Sequence, residues 1–216
     1  VTRMAIAGLL REELFKAREY QKKKQAWQKK NQGKSQSSPD SPFEPDFRME
    51  PWLPVLEGKI PLKAHVHRAD DIFTAIRIAK EFGLSMTLDH CSEGHLIAEE
   101  LAKEGFPAIV GPDLSSRSKI EVQNMAFKTA AVLHQAGVLV AITTDHPVTL
   151  IQSLPLCAGL AVKSGLPMEE GLRAITCNPA RICRVYDRVG SLEPGKDADI
   201  AIFTGNPMET FTKTMC

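Results

Sequence analysis

The sequence lacks any hydrophobic run of the length that crosses a bilayer, and its first residues do not follow the pattern of a secretory leader. No stretch approaches the roughly 20 consecutive apolar residues that a membrane helix requires. The first residues show no charged region followed by an apolar segment and a small-residue cleavage site. These absences argue against a membrane protein and a secreted one, so we expect no membrane partner and a cytoplasmic location.

Cysteine is also sparse and follows no framework. The chain has five cysteines, an odd number without a C-x-x-C pair, at Cys91, Cys157, Cys177, Cys183 and Cys216. Small secreted domains that depend on disulfides carry regularly spaced, paired cysteines. The pattern therefore favours reduced thiols in a cytosolic protein.

An excess of charge of one sign is missing as well. Lys and Arg number 27 against 26 Asp and Glu, and the formal net charge is +1. The local basic excess falls at residues 16–34, mostly within a predicted amphipathic helix, Met4 to Lys30. Its lysine clusters could form a nucleic-acid surface. However, no aromatic residues alternate with them to stack on bases, so a solvated helix face is favoured and we expect no nucleic-acid partner.

What the sequence does contain is a regular alternation of strands and helices. Hydrophobic residues make up 43% of the 216 residues, enough for one sizeable core. Four short apolar runs predict strands at 60–65, 84–90, 108–111 and 138–143. Amphipathic stretches predict helices at 70–82, 96–104, 122–135, 151–164 and 167–176. This order predicts an α/β fold with a parallel sheet covered by helices.

Histidine and aspartate residues fall at the ends of these predicted strands. His65 and His67 end the first strand, His90 ends the second, and Asp145 follows the fourth. In a parallel α/β barrel such positions share the C-terminal rim, where active sites lie. A single polar residue at a strand end usually contacts only solvent. Imidazoles and a carboxylate placed together, however, suit a divalent ion such as zinc.

Five segments resemble the amidohydrolase superfamily of metal-dependent hydrolases, within its imidazolonepropionase-like branch. They occur in the family's order at Ala64–Ile72, Leu88–His95, Ile142–Pro147, Ala174–Ala180 and Val189–Ile200. The resemblance implies the second half of a TIM-type (β/α)8 barrel plus part of a small C-terminal β-sandwich, with a predicted strand at Asp199–Phe203. On this basis the chain divides into a basic amphipathic helix (1–34), a linker (35–50), the half-barrel (51–185) and the sandwich segment (186–216).

The resemblance also implies roles for the residues at the strand ends. His65 would be the ligand from the family's fifth strand, with His67 lining the site or taking that ligand role. His90 would be the sixth-strand ligand. Asp145 would bind the metal, expected to be zinc, and act as general base. The implied reaction is hydrolysis of a C–N bond in a small-molecule amide, cyclic amide or amidine; deamination of a ring is the alternative within the same chemistry.

Four further residues are candidates for substrate contact, although each could be an ordinary surface or structural contact. They are Arg68, Glu93, Arg117 and His146. Arg117 belongs to the loop after the third predicted strand, where a guanidinium can pair with a substrate carboxylate. Cys91 stands beside His90 where the family often has glycine, and we expect it to pack as a small apolar residue.

The chain departs from the family pattern in what would precede it. The histidine-x-histidine pair of the family's first strand is not present, and no bridging ligand from a fourth strand can be assigned. We therefore expect this chain to be the C-terminal half of a longer enzyme. A truncated, non-catalytic product is the alternative. Unpaired sheet edges in a half-barrel predict low stability or a homodimer.

Overall fold

The computed structural model describes residues 2–32 and 42–215. The chain forms two compact units, one of residues 1–62 with 74–85 and the other of residues 63–73 with 86–216. The first part of the predicted linker, residues 35–41, lies outside the described residues. No described helix combines the length and the apolar character needed to cross a membrane.

The first unit is organised around the long helix α1 (Arg3–Lys30), within one residue of its predicted start. The Thr2 hydroxyl accepts a hydrogen bond from the Ala5 amide at 3.2 Å and so caps the helix N-terminus. Lys29 and Lys30 lie in the last turn, where positive charge interacts favourably with the helix dipole. A short helix, α2 (Leu53–Leu56), follows a single 3-10 turn at Glu50–Trp52.

One face of α1 is buried within this unit. Ala17 and Tyr20 of α1 form a cluster with Met49 and Leu53, and three partly buried side chains pack against it: Phe43, Trp52 and Leu56. At the cluster's edge the Tyr20 hydroxyl bonds to the Glu50 carboxylate, which also accepts from Lys24 Nζ at 2.7 Å. The apolar spacing of this helix therefore corresponds to burial at Leu14, Ala17 and Tyr20, whereas Ile6 and Leu9 near its start are exposed.

The sheet contains the four predicted strands in the order β1 (Leu62–Val66), β2 (Met86–His90), β3 (Ala108–Val110) and β4 (Val140–Ile142). β2 pairs with β3, and β3 with β4, in parallel; Leu88 lies opposite Ala108, and Ala108 opposite Val140. Parallel strands present their C-terminal ends at one edge. The residues that follow each strand therefore lie along the same side of the sheet.

Helices follow the strands as expected for an α/β fold. They are α3 (Ala69–Phe82), α4 (Ala98–Glu104), α5 (Thr129–Gln135), α6 (Leu154–Lys163), α7 (Met168–Arg173) and α8 (Cys177–Ile182). In the second unit, Leu88 and Val110 of the sheet and Leu101 and Leu133 of the helices are almost completely buried. Apolar burial between sheet and helices thus provides the core of this unit.

Two predictions of secondary structure were wrong, and one helix was missed. The helix predicted at 122–135 begins only at Thr129, because tertiary bonds hold the preceding segment in turns: Arg117 donates to the Met125 carbonyl and Asn124 to Glu93. Helix α8 was not predicted. Residues 199–203 form no strand in the described structure beyond a single bridge from Phe203 to Thr214, since no further strand is available to pair with them.

Candidate metal centre

Strands β1 and β2 bring three histidines together at their C-terminal ends. His65 lies in β1, His67 follows that strand by one residue, and His90 is the last residue of β2. Side chains two residues apart on an extended strand project from the same face. One nitrogen from each of the three lies within 4.8 Å of the others, and no other such group of three His, Cys, Asp or Glu residues occurs in the part of the chain that is described.

The three rings are in direct contact. His65 Nε2 lies 3.0 Å from His67 Nε2, and His65 Nδ1 lies 3.2 Å from His90 Nε2. At the two ends of this chain, His67 Nδ1 lies 2.9 Å from the Ser92 hydroxyl, and His90 Nδ1 lies 2.7 Å from the Gly111 carbonyl oxygen. Each of the three rings is therefore held in place by contacts at both of its nitrogens.

These contacts determine which nitrogen carries the proton in each neutral ring. A carbonyl oxygen can only accept, so His90 Nδ1 carries the proton given to Gly111 and His90 Nε2 presents a lone pair. His65 Nδ1 then donates to His90, and His67 Nε2 donates to His65 Nε2. The Ser92 hydroxyl completes the series by donating to His67 Nδ1. Such second contacts are what orient imidazoles in metal sites.

Burial keeps the imidazoles of His65 and His67 in the neutral form that binds metals. Desolvation, followed by the neighbouring His90 and His65, lowers the pKa of His67 to about 4. Desolvation and His90 also lower the pKa of His65, while Asp145 opposes that shift. Metals bind the neutral imidazole. The donor set of convergent, neutral imidazoles with oriented rings fits a borderline divalent ion such as zinc.

The backbone is strained at the same edge of the sheet. His90, Cys91 and Asp145 have positive φ angles of 71°, 47° and 49°. A residue other than glycine in this region costs about 1–2 kcal/mol. Such conformations are retained where the surrounding structure enforces them, and they are concentrated at functional sites. Two of the three residues are predicted metal ligands.

Cys91 has the structural role expected for a small apolar residue. Its side chain is buried, and burial raises the pKa of the thiol to about 12. It packs against Gly94, where a Cβ atom would lie only 2.6 Å from the Cys91 sulfur. The thiol therefore stays protonated at neutral pH and is unsuited to binding a metal.

Asp145 lies near the histidines but outside their nitrogen group. Its backbone amide donates to the Thr143 hydroxyl at 3.1 Å, which fixes the turn after β4. Its negative charge acts on His65 by raising the pKa of that ring against the effect of burial. The structure thus brings Asp145 within electrostatic reach of one predicted ligand.

The remaining predicted residues are spread along the loops after the strands. Arg68 pairs with Asp70 at 3.0 Å, and a guanidinium N–H of Arg117 donates to the Met125 carbonyl at 2.8 Å. His146 Nδ1 accepts from the Ile151 amide at 3.3 Å. Among these four residues, Glu93 has the most direct connection to the histidines, because its amide donates to the His67 carbonyl at 2.9 Å.

Several residues that shape the site were not identified from the sequence. Ser92 and Gly111 orient two rings, Asn124 donates to Glu93 at 2.8 Å, and the charges of Lys119 and Glu121 act on His65 and His67. For Gly111 a signal existed, because a glycine that ends an apolar strand often marks close backbone approach. A Cβ atom there would lie 2.3 Å from the Thr143 carbonyl oxygen. Ser92, Lys119 and Glu121 lie in loops without a periodic pattern, and Asn124 lies in a segment whose spacing predicted a helix.

Comparison with known proteins gives a consistent assignment. The model of the Amidohydrolase family matches residues 56–216. An imidazolonepropionase of Maricaulis maris is 30% identical over 172 residues, covering 74% of this chain and 40% of its own length. The amidohydrolase tasK of Hapsidospora irregularis is 25% identical over 220 residues, covering 96% of this chain and 22% of its own.

Solved structures show the same relationship. An amidohydrolase from Thermotoga maritima MSB8 superposes with a TM-score of 0.90 at 41% identity, over 99% of this chain and 54% of that one. An adenosine deaminase from Xanthomonas campestris, solved with bound zinc, gives a TM-score of 0.51 at 25% identity, over 66% of this chain and 37% of that one.

The chain therefore spans about half or less of each of these relatives. The resemblance noted from the five sequence segments is confirmed, and the parallel sheet agrees with that of the structural relatives. The chain belongs to the amidohydrolase family, in its imidazolonepropionase-like branch.

Proposed function

We propose that this chain supplies the late-barrel half of a metal-dependent hydrolase that cleaves C–N bonds in small amides, cyclic amides or amidines. The observation that carries the proposal is the convergence of the His65, His67 and His90 nitrogens within 4.8 Å at one edge of a parallel sheet. In the same proposal, the four strands are half of a (β/α)8 barrel, and residues 186–216 contribute to a small β-sandwich.

His65, His90 and Asp145 are proposed to hold the metal, and His67 lines the site or serves as a further ligand. When bound, a divalent ion such as zinc supplies a Lewis acid that polarises a carbonyl and lowers the pKa of water. The pairing of His90 Nδ1 with Gly111 leaves His90 Nε2 as a fixed donor atom. The contact between the Ser92 hydroxyl and His67 Nδ1 fixes the orientation of the His67 ring.

Asp145 is proposed to move the proton. Its exposed carboxylate can accept the proton of the attacking water and return it to the nitrogen that leaves, which is general base followed by general acid catalysis. Arg68, Glu93, Arg117 and His146 are proposed to contact the small-molecule substrate. All four lie in loops that follow the C-terminal ends of the strands.

The alternative within this chemistry is a deaminase. The superposition on the Xanthomonas adenosine deaminase supports this alternative, because that enzyme has a similar arrangement of strands. The two reactions differ in product: a deaminase releases ammonia, whereas a cyclic-amide hydrolase opens a ring. Analysis of the products of a turned-over substrate separates them.

The test of the proposal is zinc binding by titration calorimetry. The wild-type chain should bind zinc, and His65→Ala or His90→Ala should weaken binding at least about tenfold, because each removes a donor atom. His134→Ala is the matched control, since His134 lies in α5 and contacts Glu170 at 3.8 Å rather than the three histidines. Absence of zinc binding by the wild-type chain, or equal binding by His90→Ala, would contradict the metal site.

Two further measurements complete the test. Asp145→Asn should reduce the rate of hydrolysis by about 10²–10⁴-fold, the usual contribution of a general base. An unchanged rate would remove Asp145 from the mechanism. Sedimentation velocity addresses the proposed homodimer, since β1 and β4 are the outer strands of the described sheet; a species of monomer mass at all concentrations would count against it.

A further inference from the structure

The loop after β3 and the C-terminal end of α6 form a cleft of about 570 Å³, which is open to solvent. Small-molecule sites have volumes of about 300–1,000 Å³, so the cleft is large enough for a ligand. The three histidines are not among its lining residues. Its walls combine three charged side chains with an apolar surface: Asp113, Arg117 and Lys128, with Leu114, Met125 and Phe127.

Hydrogen bonds fix the loop that forms one wall of this cleft. The Thr149 hydroxyl donates to the Leu114 carbonyl at 3.0 Å and joins the loop to the segment after β4. The Arg117 guanidinium donates to the Met125 carbonyl at 2.8 Å and closes the loop on itself. A wall held in this way loses little conformational entropy when a ligand binds, so the cleft is largely preformed.

Asp113 supplies a carboxylate that lacks a compensating charge. Its side chain is partly buried, and burial alone raises its pKa to about 7. Within the described residues, no N–H or O–H group donates to this carboxylate and no cation pairs with it. Burial, and then the charge of Asp113, raises the pKa of the Cys157 thiol, so this neighbour stays neutral. A carboxylate withdrawn from water is stabilised by a cationic donor, which a ligand in the cleft could supply.

Arg117 and Lys128 supply two cations to the same cleft. In the part of the chain that is described, neither forms an ion pair with a carboxylate, and both are exposed. Arg117 keeps further N–H donors, because a guanidinium has five and one nitrogen alone contacts the Met125 carbonyl. The opposite charges of Asp113 and these cations thus line one cleft without pairing with each other. The space between them suits a ligand that carries both charges.

We infer that this cleft binds an apolar α-amino acid as the zwitterion. The ligand ammonium pairs with Asp113, its carboxylate pairs with Arg117 and Lys128, and its side chain packs against Met125 and Phe127. The inference goes beyond the proposed hydrolysis and requires no metal. A phosphate or a dicarboxylate would also attract the two cations, but it would place negative charge near Asp113, and like charges repel.

The test compares three probes by titration calorimetry on the chain in the presence of a metal chelator. L-leucine carries both charges, N-acetyl-L-leucine lacks the ammonium, and L-leucinamide lacks the carboxylate. The wild-type chain should bind L-leucine with a dissociation constant of about 1 mM or below. It should bind each of the other two about tenfold or more weakly, as expected when a hydrogen bond between charged groups is lost.

Reciprocal variants assign each charge of the ligand to its partner. Asp113→Asn should lose most of the preference for L-leucine over N-acetyl-L-leucine and retain the preference over L-leucinamide. Lys128→Met should show the opposite pattern, and Lys128→Arg should behave as the wild type. Lys103→Met, at an exposed lysine in the last turn of α4, is the matched control and should retain both preferences. Because each variant keeps one preference, misfolding cannot produce this pattern.

Other results overturn the inference. Absence of L-leucine binding by the wild type, equal binding of the three probes, or both preferences intact in either Asp113→Asn or Lys128→Met would contradict an amino-acid site. Displacement of L-leucine by an equal concentration of inorganic phosphate would indicate a general anion site instead. Zinc titration of the wild type keeps the two proposals separate. Zinc binding without L-leucine binding contradicts only the amino-acid site, and the reverse result contradicts only the metal centre.

Discussion

Replacing Gly111 with alanine tests whether the β3 terminus positions His90. Gly111 has a φ of 118°, a conformation that side chains rarely adopt, and its carbonyl oxygen holds His90 Nδ1 at 2.7 Å. A Cβ atom at this position would lie 2.3 Å from the Thr143 carbonyl oxygen. That atom is backbone, so the two strand ends must separate to accommodate the methyl group. Their separation moves the acceptor away from His90.

The magnitude follows from two contributions. Positive φ costs an alanine about 1–2 kcal/mol, and forcing a methyl group into a packed site costs about 1–3 kcal/mol more. We therefore expect Gly111→Ala to lower the free energy of unfolding by about 2–5 kcal/mol. Gly105→Ala is the matched control, because Gly105 has a φ of 74° with no atom within 4 Å of the added Cβ. It should cost only the about 1–2 kcal/mol of the backbone term.

Urea denaturation and zinc calorimetry on the two variants give the answer. Loss of an orienting contact to a ligand typically weakens metal affinity about 10–100-fold, so Gly111→Ala should do so while Gly105→Ala retains wild-type affinity. Equal destabilisation of the two variants, or an unchanged zinc affinity in Gly111→Ala, would refute the role of the Gly111 carbonyl in positioning His90.

Two further predictions concern carboxylates elsewhere in the second unit. Burial raises the pKa of Asp113 to about 7 from the ordinary 3.8. Between about pH 4 and pH 7 the folded chain therefore retains a proton that the unfolded chain releases. The free energy of unfolding falls as the pH rises through this range. The Asp113→Asn variant should not show this loss of stability, which amounts to at most about 4 kcal/mol. Its thermal midpoint should therefore exceed that of the wild type at pH 8 and equal it at pH 4. Equal midpoints at pH 8 would count against the prediction. Glu93→Ala should lower the free energy of unfolding by about 1–3 kcal/mol in urea, because Glu93 accepts from both the Ala69 amide and Asn124. The exposed control Glu99→Ala removes only a first-turn carboxylate of α4 and should cost at most about 1 kcal/mol; an equal effect of both variants would show that Glu93 does not join the loops.

Local pattern was sufficient for most of the second unit. The strands at 62–66, 86–90, 108–110 and 140–142 lie within their predicted ranges or extend one residue beyond them, because apolar runs bounded by turns depend on neighbouring residues alone. The pattern failed where partners distant in sequence decide the conformation. Residues 122–128 have helical spacing, yet Asn124 and Met125 form bonds to residues outside any helix. Residues 199–203 have strand composition, but a strand requires a partner.

For the site, residue order was enough to predict that His65, His67, His90 and Asp145 lie at or shortly after strand ends, and the parallel order of those strands places them along one edge. Three-dimensional packing was needed to show that the three imidazoles meet as a group, with Asp145 outside it, and that Ser92 and Gly111 orient two of the rings. The physical reason is that strand ends are fixed by local backbone periodicity, whereas the path of a loop is fixed by bonds to residues far away in the chain.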